Sequence, residues 1–129
     1  MGHDQCPLGT YDLADSLIHE HRHQRLYLFQ ACAPLVTADI PFVRSPWREE
    51  PRPPTGLFHA VYVFCGLLEW WSYVSDTTEG VAHDAACREV LSVAAKLQEA
   101  FPILSATALT PVGKALATSL EQRFKELVV

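Results

Sequence analysis

The chain has 129 residues, 49% of them apolar and 19% charged, with a net charge of −5. That length and apolar content suit one domain, spanning 1–129, whose core needs no disulfide or structural metal. The acidic balance argues against a nucleic-acid binder: neutralising phosphates takes clustered Lys and Arg, and the local arginines (Arg22, Arg25, Arg44, Arg48, Arg52) mostly stand beside acidic residues.

Residues 1–9 hold Gly2, Pro7 and Gly9 and read as an irregular arm. No apolar signal core follows a basic start within the first twenty residues, so the chain is expected in the cytoplasm. The first helix is predicted from about Tyr11 to Ala33, with Thr10 as cap and Asp12 in the first turn. Pro34 ends it, because proline removes a donor and restricts the residue before it. At 100° per residue its apolar stripe is read as Ala14, Leu17, His21, Gln24, Leu28, Ala31, Cys32 and Leu35.

Residues 37–56 carry Pro41, Pro46, Pro51, Pro53 and Pro54, which rule out a regular interior element. A connection of this length is unusual in a compact domain. Its apolar members Ile40, Phe42, Val43 and Trp47 suit a strap over the bundle or a docking segment. The second helix, over 57–74 with Thr55 as cap, is apolar nearly all round. Its one polar stripe is His59, Tyr62, Gly66, Glu69 and Tyr73. A helix of that kind is hidden on most sides. As a membrane span it is short and carries Glu69 near its middle, so burial in protein is expected instead.

Asp76-Thr-Thr-Glu79 has capping-box spacing and leads into a third helix expected to stop near Ala100, ahead of Pro102. Its inward stripe is His83, Cys87, Val90, Ala94, Leu97 and Phe101. Thr110-Pro111 opens a fourth helix that runs to about Leu127. The predicted fold class is all-α: a four-helix bundle-like domain with a long Pro-rich connection between helices 1 and 2.

Three residue groups are candidates for function. Trp47, Phe64, Trp70 and Trp71 are read as anchors of a partner surface, since three helices are not expected to cover the second helix completely and aromatics dominate interface hot spots. His59, Tyr62, Glu69 and Tyr73 line a candidate polar pocket, with the solvent-facing strip of a buried helix as the plainer reading. His21, His83 and Cys87 form a candidate zinc or other transition-metal site between helices 1 and 3, set against plain core or surface roles.

His19-Glu20-His21-Arg22-His23 reads His-Glu-x-x-His and over these five residues resembles the zincin metalloprotease motif, in which His19 and His23 would hold zinc. No third ligand or substrate-binding strand accompanies it. The phase places His19 and His23 off the apolar stripe, as solvated histidines with surface metal binding second. Thr110-Pro111-Val112-Gly113-Lys114-Ala115-Leu116 resembles the stretch after the wing in MarR-like winged-helix regulators, without wing strands or a recognition helix before it. No P-loop, dinucleotide fingerprint or nucleophile elbow is present. The sequence is therefore read as a small cytosolic interaction protein, more in keeping with a non-enzyme. It would act as a regulator, inhibitor or adaptor, binding a protein partner or itself as a homodimer through 57–74. No cofactor is required in this reading; a helical metal-binding protein is the alternative.

Overall fold

The computed structural model describes residues 7–128. The arm's first six residues, with Cys6 and His3, lie outside the described residues. The fold is all-α: α1 (Pro7–Cys32), α2 (Pro54–Thr77), α3 (Gly80–Ser105) and α4 (Pro111–Val128). Among the described residues there are no strands, only isolated bridges between Val36 and Leu109 and between Val43 and Arg52. α2 packs against each of the other three helices, and α3 also packs against α4.

Several helix ends differ from expectation. α1 begins at Pro7 and runs through Gly9 and Thr10, so Thr10 is not its cap. α2 begins at Pro54, with proline supplying the preset φ of a first helical residue. Its cap comes from the connection: the Thr55 amide and hydroxyl donate to the two carboxylate oxygens of Asp39, at 2.8 and 2.7 Å. At the far end α2 passes through Asp76, so no capping box forms there. Instead the Thr77 and Thr78 hydroxyls donate back to the Tyr73 and Val74 carbonyls. Gly80 then turns the chain at φ +67°, a conformation that favours glycine.

α3 continues through Pro102 to Ser105. Phe101 and Leu104 are buried on one side, while Pro102 stands on the exposed side where solvent can take the bond it breaks. α4 starts as the sequence predicts. The Thr110 hydroxyl accepts the Gly113 N–H at 3.0 Å and donates to the Pro34 carbonyl at 2.7 Å. Gly113 permits that closeness, since a Cβ there would lie 2.0 Å from the Leu35 carbonyl oxygen.

The main core joins Leu26 and Leu35 to Leu57, Phe58, Val61 and Leu68 of α2, Leu97, Phe101 and Leu104 of α3, and Leu120 and Phe124 of α4. A second cluster gathers Val63, Leu67, Trp71, Val74 and Ala86, with Ile18 against it. α1 contradicts its predicted phase. Leu13, Leu17 and Leu28 are 60%, 62% and 71% exposed, and His21 and Gln24 are exposed with them, whereas Leu26 is 1% exposed. The helix turns its polar side inward. The reason lies on α2, whose polar stripe needs polar partners, while α3 and α4 pack against much of its apolar surface.

Candidate functional site

The α1–α2 seam begins with a notch. A Cβ on Gly66 would lie 2.6 Å from Nε of Arg22, so glycine at this position lets the arginine lie against α2. Nε and Nη2 of Arg22 donate to the Tyr62 carbonyl at 3.0 and 2.7 Å, and the guanidinium sits 3.8 Å over the Tyr62 ring. Burial pulls the Arg22 pKa below its ordinary value, with Tyr62, Cys65 and Glu69 opposing the shift. Arginine still carries its charge there.

Nearer the start of α2 the seam opens into a cleft of about 560 Å³ between α1, the first turns of α2 and the Pro-rich strap. α1 contributes His19, His23, Tyr27 and Gln30. The strap contributes Ser45, Trp47, Arg48 and Arg52, and α2 contributes Thr55, Gly56, His59 and Phe64. The strap is tied down by reciprocal backbone bonds between Val43 and Arg52 at 2.7 and 2.8 Å. Trp47 stacks on Phe64 with ring centroids 4.8 Å apart. Buried Ser45 accepts the Trp47 backbone N–H at 3.3 Å.

Three side chains form a hydrogen-bonded row along the α1 wall. Nε2 of His59 donates to Oε1 of Gln30 at 2.5 Å, and Nδ1 of His59 lies 3.1 Å from Nδ1 of His23. With a proton on Nε2, His59 has a lone pair on Nδ1, so His23 is the donor of that second bond. Nε2 of His23 is then an acceptor, and it makes no hydrogen bond among the described residues. The His23 and His59 rings are within 19° of parallel and meet edge to edge with centroids 5.3 Å apart, and His19 meets His23 at 5.0 Å.

His59 is 7% exposed. Burial, helped by His23, pulls its pKa down to about 4. Burial lowers His23 as well, with His19 adding to the shift and Glu20 opposing it. Both rings are therefore neutral at pH 7, each with one donor and one acceptor nitrogen for hydrogen bonding.

The sequence candidates fare unevenly. His59 and Tyr62 are buried at the seam, and only His59 lines the cleft. Glu69 lies outside the cleft in an exposed ion pair with Arg123 at 2.8 Å, and Tyr73 is exposed farther along α2. Trp71 is 2% exposed and donates to Asp15 at 2.6 Å, while Trp70 donates to the Tyr11 carbonyl at 3.3 Å. Trp71 is thus covered by α1, and Trp70 is half-buried against it. Trp47 and Phe64 form one wall of the cleft.

His83 and Cys87 do meet, with Sγ 3.4 Å from Nε2 and Nδ1 of His83 donating to the Ser75 carbonyl at 2.7 Å. His21 does not join them, because it lies on the exposed face of α1. His19 and His23 share a helix face as predicted, but they face the cleft, and Glu20 is exposed. Among the described residues no group of three or more His, Cys, Asp or Glu side chains is arranged to hold a metal ion.

Sequence reasoning missed Gln30, Tyr27, Arg48 and Arg52. The signal for Gln30 was present: Asp15, His19, Arg22, His23, Leu26 and Gln30 recur at helical spacing and complement the stripe of α2. No family model matches the chain, and no curated protein matches it.

Proposed function

We propose that this chain is a small-molecule-binding protein whose ligand sits in the cleft between α1, the start of α2 and the strap. One observation carries the reading. The row Gln30–His59–His23 is built in advance of any ligand and ends on an unpartnered His23 nitrogen in a cavity of about 560 Å³. Cavities of this size, lined by aromatics with a few convergent polar groups and perturbed titrating residues, are the usual form of a small-ligand site. The Val43–Arg52 pairing and the Trp47–Phe64 stack hold the opposite wall in place, which lowers the ordering cost of binding.

A fragment library screened by amide NMR on the full chain tests this. Hits should shift signals from residues 19–30, 45–48 and 55–64 together and compete with one another. Hits spread over the surface, or none at millimolar concentration, would defeat the reading.

A second reading, self-association, is favoured by a different observation. Leu13, Leu17 and Leu28 are exposed on one face of α1 together with His21 and Gln24, and the exposed Glu20 and Arg25 flank them. A second copy of this chain is the proposed occupant, since pairing would bury the leucines of both copies.

A further inference from the structure

We infer that the ligand of this cleft is an organic oxyanion, a carboxylate or phosphate group on a flat apolar body; the inference rests on the cleft being a ligand site. The chain has 15 acidic residues against 10 Lys and Arg. Even so, among the described residues no Asp or Glu lines the cleft, whereas Arg48 and Arg52 do. Such a local reversal of sign focuses an attractive field on anions.

The position of Arg52 sharpens the case. Its backbone is held by Val43, and its guanidinium lies over Gly56 on the first turn of α2. A Cβ at Gly56 would stand 3.1 Å from Nε and 3.2 Å from Nη2, so glycine leaves the space that the guanidinium uses. That turn is the positive end of a 24-residue helix. A guanidinium and a helix N-terminus side by side repel each other, and an anion between them relieves both. Asp39 offsets part of this charge through Thr55, but it does not line the cleft. Among the described residues no ion pair engages Arg48 or Arg52.

The rest of the cleft describes the body of the ligand. The Trp47 and Phe64 rings, stacked on each other within 13° of parallel, give one side of the cleft an apolar aromatic lining. Across the cleft, Nε2 of His23 accepts a hydroxyl or N–H from the same molecule.

The test titrates the full chain with phenyl phosphate, benzoate, benzyl alcohol and benzylamine, following the Trp47 indole N–H signal and amide shifts around the cleft by NMR. The anions should bind about ten-fold tighter than benzyl alcohol, the scale of one charge-assisted hydrogen bond. Arg52→Gln and Arg48→Gln should each erase most of that preference, weakening the anions several-fold more than benzyl alcohol. Phenyl phosphate outbinding benzoate assigns a phosphate ligand, and the reverse order assigns a carboxylate. Benzyl alcohol or benzylamine binding in the cleft as tightly as the anions overturns the oxyanion and leaves the ligand site standing. If no compound of any charge reaches the cleft, the ligand site itself is wrong.

Discussion

The guanidinium of Arg22 occupies the space that a side chain at Gly66 would need: Nε is 2.6 Å from where a Cβ would stand. This contact sets which side of α1 faces α2, and with it the position of the cleft histidines.

The relationship predicts a change of sign. Gly66→Ala gains about 1 kcal/mol of helix propensity, but displacing Arg22 from the Tyr62 carbonyl loses about 1.5–3 kcal/mol from a charged hydrogen bond, so the single variant should be less stable. In an Arg22→Ala background the same substitution should stabilise the fold. Denaturant unfolding of the four proteins checks this double cycle. Gly66→Ala destabilising equally in both backgrounds would rule out the notch.

The histidine row makes stability depend on pH. The pKa of His59 is about 4 in the fold against 6.5 ordinarily, so between those values the unfolded chain binds more protons. The stabilisation is fully present above about pH 6.5 and is lost as pH falls toward 4, with an upper bound of about 3 kcal/mol. His59→Gln should flatten this part of the stability curve. Urea midpoints at half-unit intervals from pH 4 to pH 7.5 measure it; an unchanged slope in the variant contradicts the assignment.

Thiol reactivity should separate the cysteines. Cys65 is buried and pushed up to about 12 by that burial and by Glu69, against the pull of Arg22. Cys32 is exposed. At pH 8 iodoacetamide should label Cys32 within minutes and reach Cys65 only on unfolding. Peptide mapping by mass spectrometry reads the order. Comparable labelling of both in the native protein would contradict the packing of α1 on α2.

Self-association through α1 predicts a mass near twice that of the chain by light scattering at micromolar concentration. Leu17→Glu with Leu28→Glu should return a folded monomer, with each substitution changing the monomer's own unfolding free energy by only about 0.5 kcal/mol, as for other exposed sites. A wild-type monomer at every accessible concentration removes this reading.

The sequence made some of this architecture legible. Thr110-Pro111 announced α4 because a side-chain cap and a preset φ are local devices. The end of α3 was hidden because tertiary burial of Phe101 and Leu104 carries a helix through a proline that local rules treat as a stop. The phase of α1 read backwards for a related reason. Leu17 and Leu28 dominate its periodicity, while the deciding feature is Gly66, on another helix and without a side chain to notice. His59 was singled out from its own stripe. Its bonds to Gln30 and His23 span 29 and 36 residues, beyond the reach of any local pattern. Arg48 and Arg52 lay in the Pro-rich connection, where charge alone gives no direction.

The most direct test of the cleft is a histidine NMR titration with phenyl phosphate at pH 7, reading the imidazole Cε1–H signals. His23 and His59 should move together along one saturable curve, while His83, on α3 and bonded to Ser75, stays fixed. Movement of His83 to the same extent, or none at His23 and His59 at millimolar ligand, would contradict the cleft as the binding site.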